Sequence, residues 1–310
     1  YRENTEEKDA AFLKLYDGHD WKWFAVRLKH TDMEYLRKHW SGKKASAPTL
    51  EKKHDKYFLR FTYAEEVALN RTPVKEQTIC SVDLGINTDA VCTIMRPDGT
   101  ILGRKFINFP SDKDRMYRVL GRIRRFQREH GSRQVQGRWA YAKRLNTELG
   151  RKIAREIVLY ASEKKADVIV FEYLEMKGKL SGKKKQKLQM WRKRDIQKRC
   201  GQQAHRKGIR ISRICAWNTS RLAFDGSGKI DRDIQDHRLC TFQNGKRYNC
   251  DLSASYNIGA RYFIREILKP LPATERSLLE AKVPAVKRRT SCVYADLRDL
   301  ISEMELQKAA

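Results

Sequence analysis

The fold of this chain is decided by residues 78–87, which read TICSVDLGIN and carry one acid in an otherwise uncharged run. Residues 79–82 are apolar or small and rich in β-branched side chains, a pattern that predicts a buried strand. Asp83 falls near the end of that strand, and Gly85 allows a turn or the close approach of a ligand. A lone carboxylate there is costly unless a cation neutralises it, although Asp83 taken alone is equally consistent with a turn or capping acid.

The segments around this strand predict a mixed sheet flanked by helices, an α/β fold. Residues 90–95 (AVCTIM) and 101–107 predict two further strands, joined by a hairpin turn, PDGT. Residues 168–171 (VIVF) form another continuous apolar run of strand type, and 209–215 predict a short last strand. Apolar residues at helical spacing predict helices at about 112–129, 134–163, 187–207 and 250–268.

The charge balance narrows the range of partners. The 310 residues include 66 Lys and Arg against 38 Asp and Glu, a formal net charge of +28, which favours a polyanion such as nucleic acid. Ribosomal proteins and membrane-surface proteins share such an excess of positive charge, but neither class explains why acids are buried at strand ends. The hydrophobic content of 40% excludes wholesale disorder, and no apolar run approaches the length of a membrane span.

The cysteines indicate the redox compartment of the protein, and the first residue indicates whether the sequence is complete. Seven cysteines are an odd number and include no CxxC pair, which predicts a reducing cytoplasm and no disulfide framework. The chain begins at Tyr1 rather than at a methionine, and no signal peptide is visible. We therefore expect it to be part of a longer protein.

Three acids stand out by their positions. Asp83 follows the first strand, Glu172 follows the run VIVF, and Asp251 opens the last of the predicted helices. Strand ends on one side of a mixed sheet are neighbours in space, so these acids can converge despite their separation in sequence. Clustered carboxylates repel one another unless cations lie between them, and hard oxygen ligands select Mg²⁺ or Mn²⁺. Two such ions about 4 Å apart activate water and stabilise the leaving oxygen of a phosphodiester, so the acids predict metal-dependent nucleic-acid hydrolysis.

Two basic surfaces are predicted to contact phosphates. Charge runs on helices are usually solvated faces, but arginine predominates so heavily on the helix beginning near residue 112 that phosphate contact is the better interpretation. The stretch 177–213 is also very basic, and Gly178, Ser181 and Gly182 within it predict a mobile loop that acts as a lid over the acids. The candidate nucleic-acid-binding residues are Arg118, Arg122, Arg125, Lys183, Lys184, Lys185, Arg192, Lys193, Arg194 and Arg221.

Residues 1–77 are expected to form part of a small β-barrel or sheet with basic loops, because 20–28 and 56–63 have strand patterns. Aromatic side chains beside Lys and Arg can stack on nucleic-acid bases. Burial in a core is nevertheless the commoner role of such side chains. Alternate side chains of the second strand share one face, and those expected in the core are Tyr57, Leu59 and Phe61.

The ordered positions of these residues resemble a known family. Residues 82–86 (VDLGI), 169–174 (IVFEYL) and 251–258 (DxxAxxNI) are similar to the three RuvC motifs of the TnpB (OrfB) transposon-encoded RNA-guided nucleases and the related type V CRISPR effectors. Residues 216–221 (AWNTSR) resemble the Thr-Ser element of the same family. The similarity covers about 78–268, and its ordered three-part pattern is much more specific than any single motif.

The resemblance implies an RNase H-like (RuvC) fold and DNA cleavage by two Mg²⁺ or Mn²⁺ ions held by Asp83, Glu172 and Asp251. Glu175 is the nearest substitute for Glu172, but an acid at a strand end followed by Tyr-Leu matches the family position better. The implied partners are a guide RNA and a target DNA, with no membrane, in a prokaryotic cytoplasm and acting at the nucleoid. Residues 1–77 would then resemble the end of the wedge-type β-barrel that holds guide RNA.

The chain departs from the family in two places. Typical members carry two CxxC pairs in the insertion before the third motif, which form a Cys₄ zinc site. Here residues 222–228 take the place of the first pair, and Cys240 and Cys250 alone remain of the second. We expect the insertion to hold no zinc and to be held by small apolar contacts and turns; a site that also uses Cys215 and His237 is the alternative. The second departure is at the front of the chain, where relatives keep the recognition domain that embraces the guide–target duplex, and which we expect to be missing from this sequence.

The expected domains are a wedge-type β domain (1–77), a nuclease domain in two parts (78–215 and 250–269), an inserted segment that binds the target nucleic acid (216–249) and a helical tail (270–310). The predicted function is that of an RNA-guided DNA endonuclease, or its catalytic portion. Two alternatives stay open. One is an RNA-guided DNA-binding protein or repressor that no longer cuts, which the loss of a motif acid would favour, and all three acids are present. The other is a transposition accessory or guide-RNA processing factor.

Overall fold

The computed structural model describes residues 1–4, 6–53, 55–131, 135–173, 193–288 and 290–309. The chain divides into two compact units, Tyr1–Val67 (unit 1) and Ala68–Ala310 (unit 2). Nearly all of the excess positive charge belongs to unit 2. In the described ranges, no helix has both the length and the apolar composition that crossing a membrane requires.

Unit 1 is built from short antiparallel strands and one helix. Its elements are β1 (Arg2–Glu3), β2 (Ala10–Tyr16), β3 (Trp21–Arg27), α1 (His30–Trp40), β4 (Lys44–Ala45), β5 (Thr49–Lys53), β6 (Lys56–Arg60) and β7 (Tyr63–Ala64). Strands β1, β2 and β3 form one sheet in that order, whereas β4 pairs with β7 and β5 with β6 as separate ribbons. Ala11 and Leu13 of β2 and Met33 of α1 are buried.

One expectation about the core of unit 1 is wrong. Tyr57 on β6 is 66% exposed, and Phe58 and Leu50 on the same two-stranded ribbon are exposed as well. Leu59 and Phe61 are half-buried. Period-two alternation identifies the side chains that share a face of a strand, but only a second layer of structure buries that face.

In its described residues, unit 2 holds a five-stranded sheet, a small three-stranded hairpin sheet, six α-helices and two short 3₁₀ helices. Its elements are a 3₁₀ helix (Val74–Glu76), β8 (Ile79–Asp83), β9 (Ala90–Met95), β10 (Ile101–Ile107), α2 (Pro110–His130), α3 (Gln136–Glu163), β11 (Val168–Tyr173), α4 (Lys193–His205), β12 (Arg210–Cys215), β13 (Asp231–Arg232), β14 (Leu239–Thr241), β15 (Arg247–Asn249), α5 (Cys250–Leu268), α6 (Ala273–Lys282), a second 3₁₀ helix (Pro284–Lys287) and α7 (Tyr294–Ala309).

The five-stranded sheet has the order β10-β9-β8-β11-β12. Strands β8, β9 and β10 are antiparallel neighbours, and β11 pairs in parallel with both β8 and β12. The sheet is therefore mixed, as predicted. Its change from antiparallel to parallel pairing occurs at β8, which is antiparallel to β9 and parallel to β11. The predicted helix at 187–207 is present as α4 from Lys193, and residues 174–192, which include the expected lid, lie outside the described residues.

Helices cover both faces of this sheet. Alternate side chains of a strand point to opposite faces, and β8 follows that rule. Cys80 and Val82 pack in a cluster with Ile157 of α3 and Cys200 of α4, whereas Ile79 packs in a second cluster with side chains of α5, α6 and α7. The continuous apolar runs of β8, β9 and β11 reflect this double burial.

Candidate active site

Asp83 and Glu172 lie side by side at the carboxyl ends of two parallel strands. β11 pairs with β8 in a register that matches Val82 with Phe171, so the next residue of each strand is one of these acids. Neighbouring strands lie about 4.8 Å apart, and residues matched in register point to the same face of the sheet. Because Ile79 packs on the α5 face, alternation directs Asp83 and Glu172 to that face. Both acids are buried, with 8% and 7% exposure.

Asp251 reaches the same edge through the direction of α5. Tyr262 of this helix donates a hydrogen bond of 2.8 Å to Gln77, which precedes β8. Ser255, nearer the start of the helix, contacts Thr93 at 2.6 Å, opposite the middle of β8. The helix therefore runs antiparallel to β8, and its first turn, which carries Asp251, is directed toward the edge where the other two acids lie.

The first turn of α5 is fixed by a side-chain cap. The Asn249 side-chain oxygen accepts a hydrogen bond of 2.9 Å from the backbone N–H of Leu252, one of the donors that a helix leaves free at its start. Among the described residues, no group of three or more His, Cys, Asp or Glu side chains is placed so that it could hold a metal ion. The structure thus places Asp83 and Glu172 side by side and directs the helix turn that carries Asp251 toward the same edge, without closing the three carboxylates into a ligand cage.

A buried polar relay holds Glu172. Two of its members, Thr219 and Asn257, lie in the family-like motifs 216–221 and 251–258, but the sequence did not predict the hydrogen bonds that join them to Glu172. The Thr219 hydroxyl donates a hydrogen bond to the Glu172 carboxylate, and Gln197 of α4 donates one of 2.9 Å to the Glu172 backbone oxygen. The Asn257 amide in turn donates to the Thr219 backbone oxygen at 3.0 Å, and its own oxygen accepts from the Tyr294 N–H at 3.0 Å. The relay therefore links the Glu172 carboxylate to α5 and to the start of α7.

Arg261 of α5 is a second buried group that the sequence did not single out. Its guanidinium donates to the backbone oxygens of Cys215 and Trp217 at 3.0 and 2.7 Å and to that of Cys292 at 2.8 Å. Burial lowers the pKa of Arg261, and nearby groups, among them Cys292 and Glu172, oppose that shift. A buried positive charge thus lies within electrostatic range of Glu172, as a buried carboxylate requires.

Some of the predicted phosphate-binding residues are exposed on described elements, and the others lie outside the described residues. Arg118, Arg122 and Arg125 are exposed along α2, and Arg221 is exposed after β12. Arg194 is exposed near the start of α4 and takes part in further contacts. Lys183, Lys184, Lys185 and Arg192 lie outside the described residues, and Lys193 marks the first residue of α4.

The exposed arginines of α2 are expected to hold nucleic-acid backbone without choosing sequence. Replacing Arg118, Arg122 and Arg125 together by glutamine should reduce the salt dependence of binding, because each lost phosphate contact removes about one unit from the slope of log K against log salt. Binding to matched and mismatched targets should weaken alike. Fluorescence anisotropy across a salt series measures both quantities.

The control for this variant replaces arginines that already have acid partners. Arg151, Arg238 and Arg276 form ion pairs with Glu148, Asp236 and Glu280 at 3.3, 2.8 and 3.8 Å. Their joint replacement removes the same charge but should leave the salt slope nearly unchanged. A change in target preference at constant affinity in the α2 variant would contradict the assignment.

The insertion between β12 and α5 is held by an aromatic cluster around its two remaining cysteines. Cys240 and Cys250 are buried together with Phe242, and Phe224 and Tyr248 pack against them with their rings 4.9 Å apart. The hydrogen bond with Cys250 and burial raise the pKa of the Cys240 thiol above its ordinary value. The two thiols therefore face each other in apolar surroundings. His237 is exposed and contacts the Asp233 backbone oxygen at 3.1 Å.

Purified protein is therefore expected to contain well under one zinc ion per chain. Two buried thiols without further paired cysteines do not supply the four ligands of a structural zinc site. Elemental analysis of the full chain, beside a Cys240→Ala variant as the matched control, measures the content. A stoichiometric zinc that disappears in the variant would refute the expectation.

Comparison with known proteins finds no matching family model and no matching curated protein. Among solved structures, a Cas12f1–sgRNA–target DNA complex matches with a TM-score of 0.48 and 18% identity, over 67% of this chain and 54% of that chain. A CRISPR–Cas12f ternary complex matches with a TM-score of 0.44 and 15% identity, over 76% and 49%. A Cas12i–crRNA–dsDNA complex matches with a TM-score of 0.46 and 10% identity, over 99% and 53%. This chain spans about half the length of each of those chains.

Proposed function

We propose that this chain is an RNA-guided DNA endonuclease, or the catalytic portion of one, which hydrolyses phosphodiesters by a two-metal-ion, RuvC-type mechanism. The observation that carries the proposal is the common position of Asp83, Glu172 and Asp251. They are far apart in sequence, yet the register of β8 with β11 sets Asp83 beside Glu172, and the direction of α5 turns Asp251 toward the same edge. The mixed sheet with helices on both faces supports the RNase H-like assignment.

The three carboxylates are suited to binding a hard divalent cation. Three carboxylates offer the oxygen ligands that Mg²⁺ and Mn²⁺ prefer, and Asp83, Glu172 and Asp251 would hold the ions. When bound, two such ions activate water and stabilise the leaving oxygen. The protein's own residues prepare the site. Thr219 orients the Glu172 carboxylate through its hydroxyl, and Arg261 offsets negative charge nearby.

The charge of unit 2 supports nucleic-acid partners, which we propose to be a guide RNA and a target DNA. Exposed Arg118, Arg122 and Arg125 on α2 offer backbone contacts. In an RNA-guided nuclease, base pairing with the guide selects the target while the protein holds the backbones. Unit 1 would serve as the wedge-type domain, and the protein would act at the nucleoid in a prokaryotic cytoplasm.

The test begins with the RNA that co-purifies with the full chain. That RNA is sequenced and returned to the purified protein together with a DNA duplex matching its variable end. We expect cleavage that requires the RNA, a matched target and Mg²⁺, and that EDTA stops. Tight binding to the matched duplex without any cut would instead assign the chain as a non-cleaving RNA-guided DNA-binding protein. The absence of a bound RNA would overturn guidance altogether.

A further inference from the structure

A cleft of about 670 Å³ lies between α4 and β12, at the edge of the five-stranded sheet. Its volume falls in the range of pockets that hold small ligands. Ile211 of β12 and Tyr173 at the end of β11 line it. Ile211 packs on the face of the sheet that α4 covers, and alternation directs Tyr173 to that face and Glu172 to the opposite one. The cleft is therefore separate from the candidate active site.

The lining of the cleft is positively charged. Lys198 and His205 of α4 and Arg213 of β12 line it, and no Asp or Glu is among the lining residues. All three side chains are exposed, and His205 adds its charge when it is protonated. Cations that meet in a concave surface without an acid among them attract an anionic ligand, and Lys and Arg are the side chains that proteins use to hold phosphate groups.

Gln197 fixes the position of Arg213. Its side chain is only 5% exposed; its amide N–H donates a hydrogen bond of 2.9 Å to the Glu172 backbone oxygen, and its oxygen accepts one of 3.3 Å from the Arg213 Nε. A guanidinium whose orientation is already set loses little side-chain freedom when it binds phosphate. The cleft thus has a fixed cation on a buried polar support, in addition to the side chains exposed on its rim.

Gly201 keeps the wall of the cleft open. It lies inside α4, where glycine is less favourable than alanine. A Cβ added there would meet the Ile211 Cγ1 at 3.8 Å, an ordinary van der Waals contact, so the packing of α4 on the sheet does not require glycine. The missing side chain instead leaves room in the cleft, which Gly201 lines.

Two further lining residues suit a nucleobase. The Tyr173 side chain is 54% exposed, and an exposed aromatic ring can stack on a base. The exposed Gln202 offers an amide, which both donates and accepts hydrogen bonds, as the edge of a base does. The cleft therefore combines phosphate-binding cations with groups that suit a base, and phosphate and base are the two ends of a nucleotide.

The arrangement of the cations favours a small nucleotide over a nucleic-acid strand. Arg118, Arg122 and Arg125 follow one another along an exposed side of α2, as contact with a continuous phosphate backbone requires. The cations of the cleft come from two different elements, α4 and β12, and meet around one volume. Adjacent phosphates on a single small ligand match such a cluster.

We infer from this geometry that the cleft binds a free nucleoside diphosphate, with its phosphates against Lys198, His205 and Arg213 and its base against Tyr173. The inference goes beyond the proposed function, because no step of DNA cleavage uses this face of the sheet. The site adds a small-molecule ligand to a protein whose other proposed macromolecular partners are nucleic acids.

The test is a binding measurement on the full chain, and its outcome is separate from that of the nuclease proposal. A fluorescent ADP that carries its label on the ribose is titrated in EDTA, so that no divalent ion can hold it at the acids. Unlabelled ADP, adenosine and pyrophosphate then compete with it. We expect ADP to compete about tenfold better, or more, than adenosine or pyrophosphate, because only ADP offers both a base and phosphates to the cleft.

Three variants separate the parts of the cleft. Arg213→Gln should weaken ADP and pyrophosphate alike by about tenfold, whereas Tyr173→Ala should weaken ADP by about tenfold and leave pyrophosphate unaffected. Gly201→Met should block ADP by filling the cleft with a side chain that a helix accepts, and its urea midpoint reports whether the fold is kept. Arg238→Gln is the control, because Arg238 already pairs with Asp236 at 2.8 Å, and it should bind ADP as the unchanged protein does.

The inference is overturned by the absence of saturable ADP binding, by equal competition from ADP and pyrophosphate, or by undiminished ADP binding in both Arg213→Gln and a folded Gly201→Met. A phosphorylated oligonucleotide that displaces the labelled ADP at lower concentration than unlabelled ADP does would overturn it as well, since the cleft would then hold the end of a strand rather than a free nucleotide.

Discussion

Replacing Asp83, Glu172 or Asp251 by alanine is expected to abolish divalent-ion-dependent DNA cleavage while leaving guide RNA and target DNA bound. Each variant removes a ligand from a site that needs all three, and metal stabilisation of the transition state contributes several kcal/mol to such reactions. The cleavage rate should therefore fall on the order of 10³-fold or more, since about 1.4 kcal/mol corresponds to a factor of ten. Single-turnover cleavage of a guided target in Mg²⁺ measures the loss.

The matched control lies on the same helix as Asp251. Glu266 of α5 pairs with Arg265 at 2.8 Å and lies far along the helix from the acidic edge, so Glu266→Ala should cleave at the rate of the unchanged protein. Binding of the guided target by each alanine variant, measured in the same preparation, separates lost chemistry from lost folding. Undiminished cutting by any one of the three would remove that residue from the site.

The strands at the centre of unit 2 were predictable from local pattern. A strand buried on both faces is a continuous apolar run, and β8, β9 and β11 have that pattern, so the acids that end β8 and β11 stood out against it. The start of α5 was also predictable, and with it the place of Asp251 at the helix entry. These positions depend on residues next to one another in sequence.

The contacts that hold the site were not predictable, because they join distant segments. Thr219, Asn257 and Tyr294 meet through hydrogen bonds between three separate elements, and amide and hydroxyl side chains have no periodicity that identifies a partner. The exposure of Tyr57 could not be predicted for the same reason, because no pattern within β6 shows whether a second layer of structure covers that strand. The aromatic packing around Cys240 likewise required the fold of the insertion.

Asn257 is the member of this relay whose loss should cost the most stability. Its side chain is fully buried and satisfies three backbone groups, the oxygens of Thr219 and Leu222 and the N–H of Tyr294, at 2.9 to 3.0 Å. Leucine has the same branching at Cγ but no polar atoms, so Asn257→Leu leaves all three groups without their partner. Each unsatisfied buried group costs about 1–3 kcal/mol, and the free energy of unfolding should fall by roughly 3 kcal/mol or more.

Urea denaturation of the full chain measures this loss as a lower midpoint. Asn244→Leu is the control, because Asn244 is exposed at a turn of the insertion and its change should stay within about 1 kcal/mol. Loss of Asn257 should also slow cleavage, because Asn257 positions Thr219, and the Thr219 hydroxyl holds the Glu172 carboxylate. At a temperature where Asn257→Leu remains folded, guided cleavage should still be slowed, and Thr219→Ser, which keeps the hydroxyl, should cut faster than Thr219→Val. Equal cleavage rates of the serine and valine variants would contradict the proposal that Asn257 acts on Glu172 through the Thr219 hydroxyl.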